Sequence, residues 1–144
     1  MLPIIMSSPQ EKIASLLVSL LQTDSADRWA THLQLADLYL ELKEEASIFG
    51  HLCSAHSICP TRPEAMYKLV SYLRYGRVEQ CGPWLSMLLS TSLTPEASYE
   101  GKIDSVHTYK VHELALIVLF YLGHLNTAGH HIVRYLSSCP DSLT

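Results

Sequence analysis

Apolar residues recur along the chain with a period near 3.6, the spacing that places side chains on one face of an α-helix. The pattern is clear at Leu35, Leu38, Tyr39 and Leu42, and it returns over residues 69–73. No comparable run of strict alternation occurs, so the pattern gives no support to strands. The sequence therefore predicts an all-α fold.

Helix start and stop signals divide this pattern into about seven helices. Residues 8–11 (Ser-Pro-Gln-Glu) and 61–64 (Thr-Arg-Pro-Glu) match the capping box, in which a hydroxyl and a glutamate satisfy each other's backbone amides. Thr94-Pro95 places a proline where a first helical turn needs no amide donor. We predict helices over 9–22, 26–42, 44–58, 63–75, 78–91, 106–122 and 125–138. Pro83 is expected to kink or delay the fifth helix.

The helical stretches also repeat, with the spacing of antiparallel tetratricopeptide-like helix pairs. Ala36, Val70 and Ala115 take the position where the two helices of a pair approach most closely. The positions that define the three units are Leu35-Ala36, Tyr39, Ile48, Leu52, Ala55 and Pro60, then Leu69-Val70, Leu73, Gly82, Ser86, Leu89 and Pro95, then Leu114-Ala115, Val118, Gly123, Ala128, Ile132, Tyr135 and Pro140. An ordinary amphipathic helical bundle, which produces similar spacings, is the alternative.

The length of 144 residues suits a single helical-repeat domain over 1–144. Ala115 follows Val70 at a longer interval than Val70 follows Ala36, so 95–105 is predicted to be an insertion between the second and third units. Residues 1–25 are predicted to form an N-terminal capping helix. Its apolar stripe either covers one end of the repeats or pairs with its copy in a homodimer. The stripe consists of Ile13, Leu16, Leu17 and Leu20.

One stretch of the sequence can be compared with a known family. It runs over Cys59-Pro60-Thr61-Arg62-Pro63-Glu64-Ala65-Met66-Tyr67 and continues through Tyr72-Leu73-Arg74-Tyr75-Gly76-Arg77. It resembles the tetratricopeptide-like helical segments appended to some bacterial and large-virus glycosyltransferases. Tyr109, Glu113-Leu114-Ala115 and Tyr121-Leu122-Gly123 match a later part of the same segments, and the resemblance covers roughly 35–136. Gly82-Pro83 and the segment 1–30 depart from the pattern. The resemblance implies a helical accessory domain of a sugar-transfer system.

Composition narrows the classes of partner. The net charge is −4 and the ten Lys and Arg residues are scattered, which disfavours nucleic acid binding. Four irregularly spaced cysteines suggest reduced thiols and a cytoplasmic protein. The proline-broken run 1–6 makes a poor signal peptide, and the longest apolar stretch, 114–122, is too short to cross a bilayer. We therefore expect neither a nucleic acid nor a membrane as partner.

Motifs for catalysis are missing from the sequence. It holds no Asp-x-Asp pair, no glycine-rich phosphate loop and no nucleophile elbow, and His112-Glu113 lacks the second histidine of a zinc protease helix. We accordingly expect no enzyme, no cofactor and no metal. For the group His51, Cys53, His56 and Cys59, buried thiols and interfacial histidines are favoured over a zinc site.

Two alternatives stay open. One is a small helical enzyme or metal-binding protein that uses a histidine-rich face, in which His107 and His112 converge with Glu113 or Asp104. The other is that the chain is one domain of a longer polypeptide, with a transferase domain encoded before Met1.

If the repeats stack, their first helices line a concave groove. Tyrosine and arginine there would suit recognition, because both are enriched at interface hot spots. The expected partner is a protein or peptide, with a glycosyltransferase domain as the candidate. The polar side chains predicted to form the partner-binding groove are Asp37, Glu41, Tyr67, Ser71, Arg74, Tyr75, Tyr109 and His112.

Overall fold

The computed structural model describes residues 8–22, 25–91, 99 and 102–138. Within these residues the chain forms seven α-helices and no strand, so the predicted all-α class is confirmed. The helices are α1 (Pro9–Leu20), α2 (Ser25–Leu42), α3 (Glu45–Ile58), α4 (Glu64–Leu73), α5 (Cys81–Ser90), α6 (Val111–Tyr121) and α7 (Leu125–Ser138). A 3-10 turn over Val78–Gln80 precedes α5, and a π-helical turn over Val106–Lys110 precedes α6.

The chain divides into two compact units, residues 1–60 and residues 61–144. The first unit holds α1, α2 and α3, and the second holds α4 to α7. No helix in the described part of the chain is both long enough and apolar enough to span a membrane.

In the first unit, α1 begins with the predicted capping box. The Glu11 amide donates to the Ser8 hydroxyl at 3.2 Å, and the Ser8 amide donates to the Glu11 carboxylate at 3.3 Å. The helix packs on α2 and buries Ile13. The prediction of a helix start at Ser8 is therefore confirmed.

A tight turn joins α2 to α3 in an antiparallel hairpin. Lys43 adopts a left-handed conformation with φ of 58°, and the Glu44 amide donates to the Tyr39 carbonyl at 3.0 Å. This 6→1 hydrogen bond after a left-handed residue is the Schellman pattern that ends many helices. The buried apolar residues of the hairpin are Trp29, Ala30, Leu33, Leu35 and Ala36 on α2 and Ile48, Leu52 and Ala55 on α3.

The second unit contains the same turn between α6 and α7. Gly123 has φ of 84°, and the His124 amide donates to the Leu119 carbonyl at 2.9 Å. Gly123 follows Lys43 in the sequence by the same number of residues as the start of α7 follows the start of α3, and as the end of α7 follows the end of α3. We call this interval in residue number the hairpin shift. The two hairpins therefore share their turn geometry, although few of their residues are identical and the shift relates Leu35, rather than Ala36, to Ala115.

Between these hairpins in sequence, α4 and α5 form a third helix pair. Pro83 is the third residue of α5, where its missing amide costs no hydrogen bond, and the helix begins at Cys81 rather than at the predicted Val78. The predicted delay by Pro83 agrees with this start. Cys81 donates its thiol to the Val70 carbonyl at 3.8 Å and is fully buried.

The start of α4 differs from the prediction. Its N-cap is Pro63, without a side-chain capping hydrogen bond, and the carboxylate of Glu64 is turned to residues of the insertion segment. The long-range donors available to Glu64 outweigh the local cap, which would satisfy only one backbone amide. The predicted helix start at Thr94-Pro95 and the repeat proline Pro140 lie outside the described residues.

Ala36, Val70 and Ala115, the predicted points of close helix approach, are all buried, with 3% or less of each residue exposed. Burial at these positions is what stacked helix pairs require. The tetratricopeptide-like character of the repeats and the single-domain organisation stay predictions.

Candidate functional site

Tyr67 on α4 interacts with four other residues of the second unit, which are Ser71 and Arg74 on α4, Tyr109 in the π-helical turn before α6, and Glu113 on α6. Tyr67, Ser71 and Arg74 follow one another at intervals of about one helical turn, so they share a face of α4. The Tyr67 hydroxyl is hydrogen-bonded to Ser71, and it lies within electrostatic range of Arg74, Tyr109 and Glu113. We call these five residues the α4–α6 surface, and all except Glu113 belong to the predicted partner-binding groove.

Burial keeps the Tyr67 phenol neutral. Loss of solvent is the main cause that raises the pKa of Tyr67, and the negative charge of Glu113 adds to it, while Ser71 and Arg74 act in the opposite direction. All five residues of the surface are half-buried. A half-buried, neutral tyrosine beside a cation and a carboxylate offers an apolar ring together with hydrogen-bonding groups of both kinds.

Arg74 extends this surface to Tyr75, which is 73% exposed. The Arg74 guanidinium carbon lies 4.6 Å from the Tyr75 ring centroid, and one of its terminal nitrogens donates to the Tyr75 hydroxyl. The Nε atom of Arg74 is buried and has no hydrogen-bond partner among the described residues. A buried donor without an acceptor is energetically costly, so this arginine would gain from an additional acceptor.

Tyr109 anchors the other side of the surface. Its ring meets that of Tyr135 on α7 edge to face, with 5.9 Å between centroids. Aromatic pairs of this geometry stabilise a side-chain orientation beyond simple burial. Tyr109 is therefore held by α7 while it remains within electrostatic range of Tyr67.

The remaining predicted residues lie elsewhere. Asp37 and Glu41 are exposed on α2 in the first unit, one helical turn apart. Asp37 lines a groove of about 620 Å³ between α1 and α2 with residues that include Glu11 and Lys12. His112 is only 8% exposed, and its Nδ1 atom lies 3.0 Å from Nδ1 of His131. His112 thus contacts its partner helix within the hairpin.

The histidine contact in the α6–α7 hairpin has a counterpart in the first unit. Nδ1 of His32 lies 2.9 Å from Nδ1 of His51, and the two members of each pair are equally far apart in sequence. The hairpin shift carries the first pair onto the second. Each contact is a hydrogen bond only when one ring is neutral at Nδ1 and accepts from the other. Sequence reasoning missed both pairs.

Burial is the main cause that lowers the pKa of each paired histidine. For His32 the neighbouring charges of His51 and Arg28 act in the same direction. For His131 the contributors after burial are His112, His130 and Arg134, and Arg134 also lowers the pKa of His112. The paired rings therefore favour the neutral form that their mutual hydrogen bond requires.

A second buried polar cluster lies in the second unit and joins α4 to the segment before α6. The Glu64 carboxylate accepts from the Tyr99 hydroxyl at 2.8 Å and from the Ile103 amide at 3.2 Å, and it lies 3.0 Å from Nε2 of His107. Glu64 is fully buried and His107 is 6% exposed. The Arg62 guanidinium covers the Tyr99 ring at 3.9 Å. We call Glu64, Tyr99 and His107 the buried carboxylate cluster.

These contacts bear on the enzyme alternative, which required His107 and His112 to converge. The ring of His107 contacts Glu64 and Tyr99, whereas the ring of His112 contacts His131. Asp104 pairs instead with Lys102, at 3.7 Å. The contacts of the two histidines are therefore made with different partners.

No group of three or more His, Cys, Asp or Glu side chains is placed to hold a metal ion within residues 8–22, 25–91, 99 and 102–138. Within the group weighed as zinc ligands, His51 contacts His32, while Cys53 and Cys59 are half-buried free thiols.

Compared with known proteins, the chain matches no family model, no curated protein and no solved structure.

Proposed function

We propose that the protein is a non-catalytic interaction module, built from tetratricopeptide-like helical hairpins, that binds a protein or peptide partner as an accessory to a glycosyltransferase system. The observation that carries this proposal is the α4–α6 surface. Its five residues are half-buried, and Tyr67 interacts with each of the other four, which are Ser71 and Arg74 on α4, Tyr109 before α6 and Glu113 on α6.

The chemistry of the surface favours a polypeptide partner. Tyrosine and arginine together provide a large contact area and directional donors, with little rotamer freedom to lose on the tyrosines. Arg74 already packs on Tyr75, and its Nε atom lacks an acceptor among the described residues. A backbone carbonyl or a carboxylate of the partner would supply that acceptor if the guanidinium turned toward it.

The repeat part of the proposal is supported by the correspondence between the α2–α3 and α6–α7 hairpins. The hairpin shift relates their Schellman turns, their pairs of contacting histidines and the bounds of their second helices. In the sequence, the same shift carries Cys59-Pro60 onto Cys139-Pro140. Duplicated hairpins of this kind are the building unit of helical repeat proteins.

The link to sugar transfer depends on the resemblance of residues 59–67 and 72–77 to segments appended to glycosyltransferases. On this proposal the partner is a glycosyltransferase domain, and the module positions it without contributing catalytic groups. A cytoplasmic location is part of the same proposal and accords with the free thiols of Cys53, Cys59 and Cys81.

Affinity capture with a designed surface variant tests the proposal. The full chain is immobilised, and proteins from an extract of the native host are captured and identified by mass spectrometry. The variant combines Tyr67→Phe with Arg74→Gln, which removes the hydroxyl and the charge but keeps most of the packing. We expect at least one protein to be captured by the wild type and lost from the variant, with the melting temperature of the chain nearly unchanged.

Arg77→Gln is the matched control, because Arg77 also lies over a tyrosine ring, that of Tyr72, at 5.5 Å, but is outside the α4–α6 surface. Equal capture by the wild type and the surface variant would show that this surface does not bind the partner. Collapse of the melting temperature would place Tyr67 and Arg74 in the core. A captured partner without sugar-transferase activity would contradict the glycosyltransferase link while leaving the interaction module in place.

A further inference from the structure

The two histidine pairs each bring two imidazole nitrogens together inside a helix hairpin. In the first unit, Nδ1 of His32 on α2 lies 2.9 Å from Nδ1 of His51 on α3. In the second unit, Nδ1 of His112 on α6 lies 3.0 Å from Nδ1 of His131 on α7. The nitrogen of a neutral imidazole is the commonest metal ligand in proteins, and it suits zinc and its neighbours among the transition metals. Each pair therefore places two ligand atoms of the same kind side by side.

The histidines recur at the hairpin shift, although the residues beside them differ. Leu33 follows His32, whereas Glu113 follows His112. Apolar side chains fill the interface of two helices without the desolvation cost of an imidazole ring. Core packing therefore does not explain why both hairpins carry a pair of contacting histidines. The recurrence indicates that the imidazole groups themselves are required at these positions.

The spacing of the rings is close to that around a shared zinc ion. Zinc bound tetrahedrally to two imidazole nitrogens at about 2.0–2.1 Å holds them about 3.3–3.4 Å apart, with the ring centres about 5 Å apart. The ring centroids of the two pairs are 5.1 Å and 5.3 Å apart, so the rings need not separate. A turn of each ring about its centre widens the nitrogen spacing and directs both Nδ1 atoms to one point. Tyr39 stacks on His51 with an interplanar angle of 9°, and this contact allows the ring to turn in its plane.

The protonation state and exposure of the pairs also suit a metal ion. Burial is the main cause that lowers the pKa of all four histidines, so the rings stay neutral at physiological pH. The hydrogen-bonded pair carries one proton on Nδ1, and its transfer to Nε2 of the same ring frees both Nδ1 lone pairs without a change in charge. His32, His112 and His131 are each 8% exposed, and His51 is half-buried. The pairs thus keep some contact with the solvent, which supplies the ion and its water ligands.

We propose that each histidine pair binds one zinc ion between its two Nδ1 atoms, with water as the remaining ligands. Within the described part of the chain, no third His, Cys, Asp or Glu side chain completes either site. Two protein ligands are fewer than structural or catalytic zinc sites use, so the ion is held more weakly than in those sites and exchanges readily. Because the bound ion joins the two helices of its hairpin, it stabilises the folded unit. The proposal does not depend on partner binding at the α4–α6 surface.

Positive charges near the pairs determine which site binds more tightly. Arg134 acts on both histidines of the second pair, whereas Arg28 acts on His32 alone in the first pair. A cation at the second site is therefore repelled more strongly, and the first hairpin is expected to have the higher zinc affinity. Arg134→Gln removes this repulsion and is expected to raise the zinc affinity of the second site by about 3-fold, with the first site unchanged. An unchanged or lower affinity of the second site would contradict an ion bound beside Arg134.

Nuclear magnetic resonance of the imidazole nitrogens tests the sites in the full chain, labelled at histidine and titrated with zinc chloride. We expect the Nδ1 signals of the four paired histidines to move to the position of metal-bound imidazole and to saturate at one ion per pair. His51→Asn and His131→Asn remove one site each. Asparagine keeps a hydrogen-bonding group near the place of Nδ1 but offers no imidazole lone pair. Each substitution is expected to weaken zinc binding in its own hairpin by more than about 100-fold and to leave the other hairpin unchanged.

His124→Asn, at an exposed turn position, is the control and is expected to keep both sites. The titration of the wild type decides the proposal even if a variant loses its fold, which circular dichroism checks. Paired rings whose Nδ1 signals do not respond to zinc would overturn it, since the hydrogen bond alone would then explain the contact. Shifts confined to the exposed His124 and His130 would show adventitious surface binding only. Undiminished binding to the chain with both His51→Asn and His131→Asn would assign the ion to other groups, such as the free thiols.

Discussion

Nε2 of His107 lies 3.0 Å from a carboxylate oxygen of Glu64, and both side chains are almost fully buried. Glu64 is the first residue of α4, and His107 lies in the π-helical turn that leads into α6. The contact therefore joins the start of α4 to the π-helical turn. Tyr67 follows Glu64 on α4, Tyr109 follows His107 in the turn, and both tyrosines belong to the α4–α6 surface. π-helical turns inside helices are often found at functional positions, which fits a turn that positions both His107 and Tyr109.

Replacement of Glu64 by glutamine is expected to destabilise the second unit by about 2–3 kcal/mol, because an amide group would confront buried donors that now face a carboxylate. Urea unfolding measures the change through the fluorescence of Trp84, with Trp29→Phe as the common background. Glu79→Gln, at an exposed position, is the control and is expected to change stability by less than about 0.5 kcal/mol. An unchanged midpoint in Glu64→Gln would show that the buried carboxylate cluster adds no net stability.

Substitutions at the equivalent turn residues Lys43 and Gly123 are expected to have opposite effects on stability. Lys43 holds φ of 58°, a conformation that costs a residue with a Cβ atom about 1 kcal/mol, so Lys43→Gly is expected to stabilise the first unit by about 0.5–1 kcal/mol. Gly123→Ala introduces the same cost at φ of 84° and is expected to destabilise the second unit by about 1 kcal/mol. Thermal unfolding of single-tryptophan chains, with Trp29 or Trp84 as the reporter, measures each effect. Equal signs for the two substitutions would contradict the shared turn geometry.

Local signals made most helices predictable from the sequence. The bounds of α3, α4 and α7 were predicted to within two residues, because breakers and caps act over three or four positions. The start of α5 was predicted at Val78 rather than Cys81, since the sequence does not distinguish a 3-10 turn from the first turn of an α-helix. Tyr67, Ser71 and Arg74 could be placed on one face of α4 because their spacing alone determines it.

The polar contacts that cross between helices could not be predicted in this way. Glu64 matched a capping motif, but its carboxylate binds donors far away in sequence, on Tyr99 and His107. His112 was predicted to face a groove, and its burial against His131 depends on the register of the α6–α7 hairpin. The sequence does contain a signal for the histidine pairs, because His112 and His131 follow His32 and His51 at the hairpin shift. This repetition could be interpreted as contact between the histidines only once the geometry of the turn showed which residues of the two helices lie opposite each other.

Cys81 is expected to resist thiol reagents in the folded protein. Its side chain is fully buried, and burial, followed by the negative charge of Glu79, raises the pKa of its thiol, so little reactive thiolate is present at neutral pH. Reaction with an aromatic disulfide, followed by peptide mapping, measures modification at each cysteine. Cys81 is expected to react only at the rate of unfolding, and urea should abolish its protection. Modification of Cys81 as fast as in the denatured chain would contradict its burial.

The paired histidines predict that stability falls as the solution is acidified. Burial lowers the pKa values of His32, His51, His112 and His131 in the folded state, so the unfolded chain binds these protons more readily. Their contribution is therefore fully present above the unfolded value of about 6.5, and it is lost as the pH falls below that value toward the folded ones. We expect the melting temperature to change little above about pH 7 and to decrease as the pH falls from about 6.5 to about 5.

The α4–α5 helix pair shows which side chains can replace a histidine pair, so that the contribution of these histidines to the pH dependence can be measured. In the repeat register that relates Ala36 to Val70, the positions of His32 and His51 correspond to Met66 and Leu85 of the α4–α5 pair. Both are buried, so apolar side chains can occupy the place of a histidine pair in a helix hairpin. His112→Met combined with His131→Leu removes both titrating rings, and the melting temperature of the second unit should then depend less on pH. His124→Gln, at an exposed turn position, should keep the wild-type pH dependence. If the double variant loses stability on acidification as steeply as the wild type, protons bound elsewhere cause the loss.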